Sequence, residues 1–438
     1  MGAKFAQFGK LAAVGFAAGG AAAVGFAGIA LKAAAGFEQA MANIQAVSGA
    51  TAEEFAALDK LAMKLGKDTV FSAKEAASGI EELVKGGVSI PDVLNGAAKA
   101  MLNLASAGGV TLPEAAEIAS NALNIFGLGG KDMAHVSDLI AGAANASSLS
   151  VSDFRYSLQM SGAVMAAANQ TMDDTAVSIA LMGAAGMKGS DAGTSLKTMF
   201  MNLLPTTTRQ ILAFEQLGII TAEGANQFIN ANGTFKSAAE VAAILNTATK
   251  NLTDSERLLK LETMFGSDAV RAALVLSKAG AEGYEKMAAG MAKVTAESVA
   301  GTKLNTFKGS LEGLKGSWET LLITIGKPMI PIVRGIVDAL TGFTNMLIDK
   351  VFPTIEKLSP HWDRAVRLFQ EVRVGNLAGF WDDLQSVVRD ITSKLVTKVE
   401  EWGSAIVEWI KPQIEPMRGK LGEWAGALWA WFDAKLPE

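Results

Sequence analysis

LGKDTVFSAKEAASGIEELVKGG, residues 65–87, sets the cadence that decides the fold. Ser72 stands before an alanine-rich run and Glu75 follows three residues later. That spacing is a capping box, in which the hydroxyl accepts from the third helical N–H and the carboxylate reaches back to the cap. Gly86 and Gly87 close the run, as glycine does at helix ends. The same opening signal stands at Thr51–Glu54, Thr111–Glu114, Ser237–Glu240 and Thr253–Glu256. Ser89–Asp92 and Thr171–Asp174 are acidic variants that put negative charge at the positive end of a helix. Stops fall at Gly66, Gly108–Gly109, Gly127 to Gly130 and Gly266. These signals predict helices of roughly 10–16 residues joined by short turns. No alternating β-branched run with hairpin signals occurs, so the fold class is all-α. Many short Ala/Gly-rich helices come first and longer amphipathic helices follow. No exact internal repeat is visible, and the cadence is only loosely solenoid-like.

The chain has 438 residues, 50% of them hydrophobic, enough for two or three domains. Much of that hydrophobicity is Ala and Gly, whose small side chains bury little area each. Close helix packing or self-association is then needed for stability. A net charge of −5 argues against a broad basic surface for nucleic acid. Cysteine is absent, which excludes disulfides, thiolate metal sites and Cys nucleophiles.

Three regions are expected: an apolar Gly/Ala helix over 1–36, a many-helix core over 37–300, and Trp-rich amphipathic helices over 301–438. Leu11 to Leu31 carries no charge and is flanked by Lys10 and Lys32. It is about the length of a membrane span, roughly 20 residues. Gly15 and Gly19 form a small-xxx-small pair, and Phe16, Phe26 and Leu31 supply larger apolar contacts. A helix packed against partner chains, a span that inserts after release, a constant anchor and a signal peptide all fit this run. After Lys327-Pro328, Ile330 to Ile348 is apolar but holds Arg334 and Asp338, one helical turn apart, which argues against a simple span. Trp381, Leu384, Val388, Ile391, Leu395, Val399 and Trp402 fall at three- and four-residue steps on one face. With Trp409 they are candidate contacts for a partner helix, in a coiled-coil seam or a bundle. The late tryptophans suit protein contact better than a membrane interface.

Catalytic and metal chemistry has little to stand on. The two histidines, His135 and His361, lie far apart with no HExxH spacing. Residues 186–197, GMKGSDAGTSLK, look like a phosphate loop but place Thr194 where Lys is required. Here Gly186 and Gly189 are read as ending one helix, Ser190 or Asp191 as capping the next, and Gly193 as permitting close approach. Asp173-Asp174 and Asp382-Asp383 are adjacent pairs that point in different directions on a helix. No enzyme activity and no cofactor are expected.

The phrases FEQAMANIQAVSGAT (37–51), the stretch 65–87, LNIFGL (123–128), GMKGSDAGTSLKTM (186–199), Leu217-Gly218-Ile219 and Met264-Phe265-Gly266 occur in this order. Together they resemble the conserved core of phage tail tape measure proteins, over about residues 30–310. The resemblance implies a structural tail component, elongated and oligomeric, commonly a trimer, in the tail-tube lumen. It would set tail length and leave toward the host membrane during genome delivery. Implied partners are the tube protein, tail assembly chaperones and the tail-tip or baseplate hub; DNA would pass without specific binding. Assembly would take place in the host cytoplasm, with the inner membrane reached on infection. As one continuous helix the chain would reach at most about 660 Å, short for a ruler. A short tail, a processed fragment or a small tail-like particle are the expectations. The alternative function is a membrane-active helical protein that forms a pore without tail partners.

Overall fold

A computed structural model describes residues 20–346. The chain divides into two compact units, residues 1–325 and 326–438. Of the second, the described residues form a 3-10 turn, Lys327–Met329, and one helix, Ile330–Met346.

The first unit is built from helices α1 (Gly20–Ser48), α2 (Ala52–Asp68), α3 (Ala73–Lys85), α4 (Ala98–Gly108), α5 (Leu112–Phe126), α6 (Met133–Ala146), α7 (Val151–Ala167), α8 (Met172–Ala184) and α9 (Gly189–Met201). These are followed by α10 (Thr208–Gln216), α11 (Ala238–Thr249), α12 (Asp254–Phe265), α13 (Val270–Met291), α14 (Ala296–Leu304) and α15 (Phe307–Gly326). Among the described residues there is no strand, only the isolated bridges Ile220–Asn226 and Ile229–Phe235. The all-α class holds.

The cadence is a true structural repeat. Helices α1, α3, α5, α7 and α9 pack side by side in one row, each on the next. Helices α4, α6 and α8 form a second row, which α2 joins through the kinked turn Val93–Ala97. Ser72, Thr111 and Ser150 cap α3, α5 and α7 at positions 72, 111 and 150, 39 residues from each to the next. Neighbouring repeats are then joined by bonds between residues 38 apart. Asn43 donates to Glu81, Asn124 to the Gly86 carbonyl, Ser152 to Glu114, and Arg155 to Glu117. His135 and Asp173 make a fifth such pair. A helical-hairpin solenoid has this signature: each unit touches its neighbours, and the core is continuous through the stack.

The caps follow the sequence, and two of the predicted boxes stay half closed. Complete boxes form at Thr51, Ser72, Thr171, Ser237 and Thr253, and also at Ser150, Thr207 and Thr295. Thr111 accepts from the Glu114 N–H, but no reciprocal bond closes a box. The Glu114 carboxylate instead takes the Ser152 hydroxyl of the next repeat, at 2.9 Å. Ser89 likewise accepts from the Asp92 N–H.

Gly66 does not stop a helix. α2 runs through it to Asp68, and Gly66 is buried where the chain turns back into α3. A Cβ there would lie 2.2 Å from the Ala73 nitrogen and 2.6 Å from Thr320 Oγ1. Close approach, not termination, is what this glycine provides.

The membrane-span reading of 11–31 finds no support. Among the described residues no helix is long and apolar enough to cross a membrane. Residues 11–19, with Gly15, Phe16 and Gly19, lie outside the described residues. The remainder opens α1, which carries Lys32 and Glu38 and continues to Ser48. Ala30, Ala34, Phe37, Met41 and Ile44 of α1 are buried on one face, Leu31 is half-buried, and Phe26 lies in the first turns of the helix. From Ala30 onward the chain itself covers that face.

Replacing Gly66 with Ala should destabilise the first unit by about 1–3 kcal/mol, because the new methyl group meets backbone. The denaturant midpoint of the full chain measures this; an unchanged midpoint would show that the α2–α3 corner is looser than described.

Candidate functional site

The phrase GMKGSDAGTS has the most specific geometry of any in the chain. Gly186, at φ +86°, ends the turn after α8. Gly189, at φ +58°, begins α9 rather than ending the helix before it. Lys188 holds the cap position without a side-chain bond, so neither Ser190 nor Asp191 is the cap. Asp191, in the first turn, receives both Arg271 guanidinium nitrogens, one at 2.6 Å. Ser195 accepts the Ala272 N–H at 3.1 Å. Gly193 faces α7 so closely that a Cβ would lie 2.3 Å from the Ser157 carbonyl oxygen. On the same contact Ser157 donates to the Gly189 carbonyl. The phrase is therefore a clasp that seats α9 on α7 and ties α9 to α13. It offers no cradle for phosphate.

The clasp has an electrostatic side. Hydrogen bonds from Arg271 hold the Asp191 carboxyl below its ordinary 3.8, and Asp191 raises Arg271 in return. Both side chains stay about half exposed, so the pair contributes modestly. Cap carboxylates Glu54, Asp153 and Glu256 are also lowered, first by the N–H of their cap residue. Burial pushes the Tyr284 hydroxyl up; it donates to the Asp174 carbonyl at 2.8 Å.

Among the described residues no group of three or more His, Asp or Glu side chains converges as a metal site. His135 Nε2 lies 3.0 Å from Asp173 Oδ2 on the surface, in a two-member pair. Asp174 instead closes the Thr171 cap, so the adjacent aspartates do separate work. The described residues also form recesses. One of about 250 Å³ lies between α5 and α7, lined by Asn121, Asn124, Arg155 and Gln159. Another, about 530 Å³, lies under α14 and α15. The candidate partner contacts Trp381, Leu384, Val388, Ile391, Leu395, Trp402 and Trp409 lie outside the described residues. Sequence reasoning did not single out Phe307, Leu311 and Leu314, which stand 81%, 51% and 65% exposed on one face of α15. Their four- and three-residue spacing was the available signal.

Residues 59–266 match the family model of phage-related minor tail proteins. Over that core the chain resembles that family. A tape measure protein of Pneumococcus phage Dp-1 is 31% identical over 348 residues, 79% of this chain. The chain spans 29% of the length of that relative. No solved structure matches it. The matched region runs from within α2, through the GMKGSDAGTS phrase, to the end of α12, and the tape measure resemblance is borne out.

Arg271→Ala should lower stability by less than about 1 kcal/mol at neutral pH, as for an exposed pair. Asp191 is depressed, so its contribution is complete above the ordinary carboxylate range and is lost as pH falls through the lowered value. The gap between parent and variant should close on acidification, read by denaturant melts at several pH values. Gly193→Ala should cost more, about 1–3 kcal/mol, and keep its cost across that range.

Proposed function

We propose that this chain is a tape measure component of the tail of a phage or phage-tail-like particle. Its relative's name and the minor-tail family match over the helical array carry the reading. In this reading the protein sits in the lumen of the tail tube, sets tube length, and is released toward the host membrane as the genome is delivered. Copies of the chain associate with each other, with the tube protein, with tail chaperones during assembly in the host cytoplasm, and with the tip or baseplate hub. The role is structural, and no cofactor enters it. Repeats that each bury mostly small side chains suit a chain that has to be remodelled, because each unit is held by modest area. A free-standing pore is the less favoured reading, since no described helix is long and apolar enough to span a bilayer.

Adding or removing two heptads in frame after residue 370 tests the ruler role, with tails measured by electron microscopy. Tail length should shift in proportion. Tails of unchanged length would overturn the ruler role and leave the chain as a plug or docking element.

A further inference from the structure

Beyond the clasp, the chain turns around and runs back along the array. Residues 270–325 touch the repeats in reverse order. Arg271 and Ala272 bond to α9, and Tyr284 bonds to Asp174 of α8. Met291 lies against Gly142 of α6, and the Ala296 N–H donates to Asp138 of α6 at 2.7 Å. Glu297 then pairs with Lys99, and Lys303 donates to the Ala107 carbonyl, both on α4. Ser317 donates to the Lys67 carbonyl of α2, and Thr320 accepts the Ala73 N–H of α3. A single strap thus lies along the whole second row, from the last repeat to the first.

The hold is uneven along its length. At the amino-terminal end α13 buries Val270, Ala272, Ala273, Leu276 and Tyr284 against the main core, beside the Arg271 clasp. In the middle, α14 buries only Ala296 and Ala300, and Ala296 meets Ala107 and Ala141 in a cluster of small side chains apart from that core. Beyond it the 530 Å³ recess opens beneath the strap, lined by Phe71, Glu75, Ser106, Lys303, Lys315 and Glu319. Past the recess, Gly316 rests on the Val70 carbonyl and Ile323 is buried. The array itself is held by contacts between neighbouring repeats, which do not pass through the strap.

We infer that residues 270–325 are a latch on the array, opening from the carboxyl-terminal end toward Arg271 while the repeats stay folded. Contacts laid in series along a strap release from an end, and the carboxyl-terminal end buries only Leu322 and Ile323 as large apolar side chains, where α13 buries Val270, Leu276 and Tyr284 beside the Arg271 clasp. Opening uncovers the second row without unstacking the first. The inference rests on packing alone and stands apart from the tail reading.

The chain has no cysteine, so single thiols can report on it. Ile323→Cys, Ala296→Cys and Ala272→Cys sample the strap, and Ala116→Cys samples the array core; all four positions are buried. Each full-length variant is labelled with a thiol reagent at increasing urea, with helix content followed by circular dichroism. The expected order of labelling is 323, then 296, then 272, with 323 and 296 about tenfold or more faster than 116 while helix content holds. If Ile323→Cys loses helix content, Ala300→Cys reads the same half of the strap. One common rate at all sites, position 296 labelling before 323, or position 272 labelling before 296, would overturn the latch.

Discussion

Helices approaching at near-backbone distance are what hold this array together. Where α9 meets α7, Gly193 stands against a carbonyl oxygen and two serines satisfy the polar groups around it. Alanines fill most of the remaining contact, as at Ala73, Ala76 and Ala77 of α3 and Ala115, Ala116 and Ala119 of α5, all fully covered. Side chains this small contribute little area each, so stability comes from many neighbours in register rather than from a few large anchors. Larger side chains are set among them, Phe37, Phe154 and Phe200 within the array and, after it, Phe214 with Phe228 and Phe265 at ring-centroid distances of about 6 Å.

Register is kept by polar contacts at a fixed sequence offset. Glu114 shows how local and tertiary demands compete for one carboxylate. Its spacing from Thr111 fits a capping box, yet it bonds to Ser152 of the following repeat. Thr111 still satisfies the helix terminus alone, so the cap loses one bond and the stack gains one. Glu117 and Arg155 repeat the connection one turn further on.

The phrases that carried the family resemblance prove to be packing and turn residues rather than chemistry. Phe37 and Ile44 seal α1, and Ser72 caps α3. Gly127 ends α5 at φ +63° while the Leu128 N–H reaches back to Leu123, a Schellman closure. Ile219 and Phe265 lie in the core. Each of these residues holds a helix end or a helix contact.

The helices were legible in the amino-acid order alone, because caps and glycine stops act within a few residues of chain. Thr51, Ser72, Thr171, Ser237 and Thr253 were all readable, and Ser150–Asp153 carried the same signal. The even step from Ser72 to Thr111 to Ser150 was also there to read. It was hidden because the repeats share cap positions and not side chains. Three features came from tertiary packing instead: Gly66 is a contact, Asp191 clamps Arg271 rather than capping α9, and residues 270–325 return along the second row. Each of these joins residues distant in sequence, and a cadence of local signals carries no information about which distant surface a helix face will meet.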